Sequence, residues 1–98
     1  MFTTVWEYEV DEGSRRAFEL AYGKDGDWVR LFRQAHGYQE TALLHDVEDP
    51  RRYVTLDRWS SRAAYEEFRI VHAAAYAELD ERTAGLTAAE RHLGSYHG

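Results

Sequence analysis

The stretch "YVTLDRWSSRAAYEEF", residues 53–68, changes its hydrophobic period partway along. Up to Trp59 apolar and polar residues alternate, which is the two-residue period of a strand; beyond Ser60 and Ser61 the apolar residues recur at three and four, the period of a helix. A strand that runs straight into a helix must fold that helix back over one sheet face, so the switch restricts the chain to layered arrangements of sheet and helix. Aromatic residues flank the joint on both sides, Tyr53 and Trp59 before it, Tyr65 and Phe68 after it.

The same two periods recur along the rest of the chain. "MFTTVWEYEV" alternates and is rich in β-branched and aromatic residues, a first strand. "DEGS" breaks it, and Ser14 can cap a short helix with Ala17, Phe18, Ala21 and Tyr22 inward. After "GKDG", Trp28, Leu31, Phe32 and Ala35 share one face of a second helix, and Gly37 stands where a left-handed terminator belongs. "YQETALLHD" is a second strand, "VEDPRR" a turn, and "RYVTLDRWS" a third strand. Ser60 or Ser61 then caps one long helix whose inner face is Ala64, Tyr65, Phe68, Val71, His72, Ala75, Tyr76 and Leu79, with Gly85 ending it. "TAAE", residues 87–90, fits a capping box for a brief turn, and "RHLGSYH" a last strand.

The order β-α-(α)-β-β-α-β predicts an α+β domain of the ferredoxin-like split βαβ type, one antiparallel sheet with its helices on one face, spanning residues 1–98 as a single domain. Strand parity sets Trp6 and Tyr8 opposite Val5, and Tyr53, Thr55 and Trp59 opposite Val54 and Leu56. Neither face is uniformly polar, so the sheet is expected to be covered on both sides, by helices and by a second copy of the chain.

Composition narrows the function. A hydrophobic share of 44% is that of a folded chain, and a formal net charge of −6 without a basic cluster argues against nucleic-acid binding. The absence of cysteine excludes disulfides, thiol nucleophiles and thiolate metal sites, and the five histidines show no zinc-like spacing, so no metal site is expected. No glycine-rich phosphate loop supports a nucleotide cofactor. No apolar run is long enough for a membrane span, and the N-terminus lacks the basic and apolar blocks of a signal peptide; a soluble cytoplasmic protein is expected.

Tyr65, Phe68, His72 and Tyr76 share one helix face. The stripe is either core with a satisfied histidine or the wall of a pocket. Aromatic stripes of this spacing are usually core; in the pocket reading two phenols and an imidazole meet the need of buried polar groups for partners, and an imidazole with an unperturbed pKa of about 6.5 suits a general base.

Taken together, "VWEYEV", "FELAYGKDGDWVRLFRQAHGYQETALLHD", "RYVTLDRWSSRAAYEEFRIVHAAAYAELD" and "LTAAERHLGSY" resemble the antibiotic biosynthesis monooxygenase domain, a dimeric α+β barrel family. The resemblance spans nearly the whole chain and implies a homodimer with sheets packed face to face and a pocket in each subunit between sheet and helices. It also implies oxygenation of a small aromatic or polycyclic compound without flavin, haem or metal, the substrate itself supplying electrons to oxygen. By position, Trp59 matches the family tryptophan at the strand end, Tyr65 a pocket tyrosine, and His45 falls near a histidine of some members. The chain contains no asparagine, which the quinone-forming and haem-degrading members place in the pocket; Thr55, on the same face as Trp59, is the nearest polar stand-in. The haem degraders carry a tryptophan where this chain has Phe68.

The sequence therefore predicts His72, Tyr65 and Trp59 as catalytic residues converging on one space, and Thr55, Phe68, Tyr76, Trp6 and His45 as substrate-binding residues. Two rival functions stand beside the oxygenase: a haem-binding or haem-degrading protein with His72 on the iron, and a non-catalytic dimeric ligand-binding module.

Overall fold

The computed structural model describes all of residues 1–98. Its elements are β1 (Phe2–Glu9), α1 (Arg15–Tyr22), α2 (Asp27–Phe32), β2 (Tyr38–His45), β3 (Arg52–Trp59), α3 (Arg62–Val71), α4 (Ala73–Thr83) and β4 (Ala89–His97). The strands form one sheet in the order β2-β3-β1-β4, with every neighbouring pair antiparallel. This is the split βαβ arrangement that the element order implies.

Parity does the sorting that the sequence suggests. Phe2, Thr4, Tyr8 and Val10 of the first strand and its end, and Tyr53, Thr55, Asp57 and Trp59 of β3, are buried beneath the helices. The core is mostly aromatic: Phe18 stacks on Tyr22 at 4.4 Å, and Trp59 is ringed by Phe32, Tyr38, Tyr65 and Phe68 at 5.0–5.6 Å. The opposite face carries Val5, Leu56 and Ala42 side by side, with Val54 and Leu44 in the next row. Ion pairs flank these rows, Glu40 with Arg58 at one end and Glu7 with Arg91 at the other. No helix is long and apolar enough to cross a membrane.

Three local expectations change. The long helix is two helices, α3 and α4, because His72 leaves the helical region at φ −106°, ψ 25°. Residues 84–86, with Gly85 among them, form a 3-10 turn, and "TAAE" leads into β4 instead of capping a turn of its own. Ser61 is the cap at the start of α3, its Oγ accepting from Ala64 N at 3.0 Å.

Gly37 has no positive φ; that conformation occurs only at Gly94 and Gly98. Its reason is contact. A Cβ there would lie 2.3 Å from Ala64 Cβ and 2.9 Å from Ser60 Oγ. The start of β2 thus presses directly on the first turn of α3. Gly37→Ala should lower unfolding stability by about 1–3 kcal/mol through this overpacking, read by urea denaturation, and Gly37→Ala combined with Ala64→Gly should recover part of the loss.

Candidate functional site

Between the inward sheet face and the helices lies a cavity of about 40 Å³. Its floor comes from the sheet: Thr55 and Asp57 of β3, Thr41 of β2, Trp6 and Tyr8 of β1. Its roof comes from Tyr22, Trp28 and Tyr76, and Asp80 and Glu90 also line it. The register explains the floor, since Trp6 pairs with Thr55 and Thr41 with Asp57, all on one face. A space of this size holds water but no aromatic ring, so a ring is admitted only when a wall moves. α4 closes one side, with Leu79 and Thr83 buried and Tyr76 half-buried against Trp28 and Phe68.

Asp57 dominates the chemistry. It is 7% exposed and has no cationic partner. Thr41 Oγ1 donates to its Oδ1 at 2.7 Å, and Tyr38 OH donates to Thr41 Oγ1 at 2.8 Å. Burial pushes its carboxyl up from 3.8 to about 6, against the opposing Thr41 hydrogen bond. Burial likewise raises Tyr8, and raises Tyr76 to about 12, with nearby carboxylates adding to it. Beside Asp57, the Thr55 hydroxyl and the Trp28 N–H are buried without a well-aligned hydrogen bond, with only the Tyr8 and Tyr22 hydroxyls near them. Unsatisfied polar atoms of this kind are uncommon and costly, and here two of them line one cavity with a carboxyl.

The structure brings Thr55, Tyr76 and Trp6 to this cavity, and places the other expected residues elsewhere. Trp59 is fully buried in the core, its Nε1 also unpartnered. Tyr65 meets Trp59 edge-on at 5.3 Å and accepts a hydrogen bond from Arg69 at 3.1 Å. Phe68 is core between Phe32 and Trp59. His72 and Phe68 line a separate groove of about 340 Å³ with His36, Ser60 and Glu67. His45 lies at the far end of the β2–β3 hairpin, stacked on Tyr53 at 4.2 Å, with Nε2 2.8 Å from the Pro50 carbonyl oxygen. Indole and phenol meet, Trp59 against Tyr65 at 5.3 Å, and the His72 ring packs on Phe68 at 5.4 Å, but the three open on no common space: Trp59 is fully buried and His72 faces its own groove.

Sequence reasoning passed over Asp57, although the signal was present. It stands between Thr55 and Trp59 at the same parity, which puts a carboxyl on the buried face. Trp28 was read only as core, and Asp80 and Glu90 become cavity-lining only once α4 and β4 are placed.

A raised carboxyl has a definite consequence for stability. The folded-state pKa lies above the unfolded one, so the stabilising protonated form is fully populated below about pH 4 and is lost as pH rises through about 6. Asp57→Asn removes that loss and should stabilise the protein by about 1–3 kcal/mol at pH 7.5, with the gain vanishing near pH 4; urea unfolding at the two pH values measures it.

Residues 1–70 match the sequence profile of the family described as antibiotic biosynthesis monooxygenase. No curated protein matches the sequence. Among solved structures, SnoaB, a cofactor-independent oxygenase from Streptomyces nogalater, is similar with a TM-score of 0.80 at 18% identity, over 99% of this chain and 91% of that one. A protein from Bordetella bronchiseptica, provisionally named an antibiotic biosynthesis monooxygenase, gives a TM-score of 0.79 at 20% identity, over 99% and 95%. One from Nitrosomonas europaea with the same provisional name gives 0.72 at 20% identity, over 100% and 98%. These likenesses establish the fold, and with the profile match over residues 1–70 the chain belongs to the antibiotic biosynthesis monooxygenase family.

Proposed function

We propose that the protein is a cofactor-independent monooxygenase acting on a small, mostly apolar phenol or hydroquinone held between sheet and helices. The observation that carries this reading is Asp57, a buried carboxyl without a counter-ion, beside the loosely satisfied Thr55 hydroxyl in an aromatic cavity. In this reading Asp57, and not His72, accepts the proton of the substrate hydroxyl. Thr55 and the Trp28 N–H hydrogen-bond the oxygen that becomes anionic, and the electron-rich ring is oxidised by O2. One oxygen atom enters the ring as a quinone carbonyl and the other leaves as water. The substrate supplies all four electrons that O2 takes up. A carboxyl titrating near 6 is ionised at neutral pH yet more basic than an ordinary aspartate, as a general base requires.

Oxygen uptake with a panel of hydroquinones in metal-free buffer tests the reading. Turnover should rise with pH through about 6, as the Asp57 carboxyl ionises. Asp57→Asn should lower it by roughly 10²–10⁴-fold, the usual worth of a general base. Full turnover in Asp57→Asn together with loss in His72→Ala assigns the proton transfer to the imidazole instead.

The reading includes a homodimer. The apolar rows Ala42–Leu56–Val5 and Leu44–Val54 lie on the face that no helix covers, with ion pairs beyond them. A stable pairing buries on the order of 1,600 Å² in total. Sedimentation equilibrium should show a dimer at micromolar concentration, and Leu56→Arg should shift it to monomer; a wild-type monomer overturns this part.

A further inference from the structure

The cavity carries charge of one sign only. Asp57 in its floor and Asp80 and Glu90 beside it take part in none of the protein's ion pairs. Asp80 and Glu90 lie near enough for Asp80 to add to the rise that burial causes in the Glu90 carboxyl. No three His, Asp or Glu side chains come close enough to share a metal ion, so the group is not a cage for a divalent cation. The rest of the lining is largely aromatic, with Trp6, Tyr8, Tyr22, Trp28, Phe32 and Tyr76. Aromatic faces backed by carboxylates attract an organic ammonium, through ring quadrupole and charge together.

The same acidic lining also offers hydrogen-bond donors. The Thr55 hydroxyl and the Trp28 N–H, on residues 3% and 7% exposed, make no well-aligned hydrogen bond, with only the Tyr8 and Tyr22 hydroxyls near them, and can turn to donate to a ligand oxygen. The nearest cationic groups are turned to other work. Arg69 covers the Tyr76 ring at 3.9 Å and bonds Tyr65, and His92 packs on Trp6 at 4.9 Å; neither lines the cavity. Tyr22 OH is committed to Thr83.

Resting on the phenol-binding reading above, we propose that the substrate is a phenol or hydroquinone bearing a protonated amine, its oxygen held by Thr55 and Trp28 and its ammonium by Asp80 and Glu90. An anionic substituent at that position meets two carboxylates and no counter-charge.

Calorimetric titration with three matched phenols tests this: tyramine, para-ethylphenol and para-hydroxyphenylpropionate, which end in an ammonium, a methyl and a carboxylate. Tyramine should bind about tenfold more tightly than para-ethylphenol, with the carboxylate weakest. In the double variant Asp80→Asn, Glu90→Gln the ratio of tyramine to para-ethylphenol affinity should fall toward one. Raising salt to about 1 M should reduce the ratio in the unaltered protein, because Asp80 and Glu90 are exposed. Equal binding of tyramine and para-ethylphenol overturns the amine assignment and leaves the phenol site standing. Failure of all three to bind overturns both. A ratio that survives high salt and the double variant places the preference away from Asp80 and Glu90 and overturns their role.

Discussion

The helical layer is fixed to the sheet through Trp59. It is the last residue of β3, it pairs in register with Phe2 and Tyr38, and it is completely buried beneath Phe32, Tyr65 and Phe68. Magnitudes decide why it is tolerated with an unsatisfied Nε1. Burying a large aromatic removes about 150–250 Å² from water, worth about 4–6 kcal/mol, against about 1–3 kcal/mol for the orphaned N–H. Packing wins, and the strand-to-helix turn at Ser60 and Ser61 inherits a fixed direction. Gly37 completes the joint by letting β2 touch α3 without an intervening side chain.

Much of this was legible beforehand because it rests on periodicity. Alternation in residues 2–10 and 53–59 sorts the two sheet faces, though not which of them lies beneath the helices, and the spacing of Trp28, Leu31 and Phe32 places α2. The break at His72 was not legible, since the apolar stripe runs on through it and neither proline nor glycine interrupts the stretch. Nor was the purpose of Gly37, because steric contact with Ala64 is a property of two segments far apart in sequence. The candidate site was half legible. Thr55, Trp6 and Tyr76 follow from face and parity; the histidine drew attention by its chemistry, while the aspartate with the decisive burial looked like an ordinary polar residue of a strand.

That aspartate illustrates a conflict common at binding sites. A fold optimised for stability alone would place an apolar or amide group at position 57, as the desolvated carboxyl is unfavourable at neutral pH. The Tyr38–Thr41–Asp57 chain of hydrogen bonds softens the cost on one side of the carboxyl. It also fixes the carboxyl's orientation toward the cavity's aromatic walls. The cost and the orientation are two aspects of one local arrangement, and both belong to the sheet, the rigid half of the domain.

The break at His72 divides labour in the other half. α3 is bound to the sheet through Phe68 on Trp59, whereas α4 is held by Leu79 and Thr83 and by Tyr76 against Trp28 and Phe68, and contributes Tyr76 and Asp80 to the cavity. Substitutions along α4 can therefore resize or recharge the ligand space without disturbing strand register or the joint at Trp59. Changes in this one exposed eleven-residue helix alter the cavity at Tyr76 and Asp80, while the Asp57 carboxyl stays tied to the sheet through Thr41 and Tyr38.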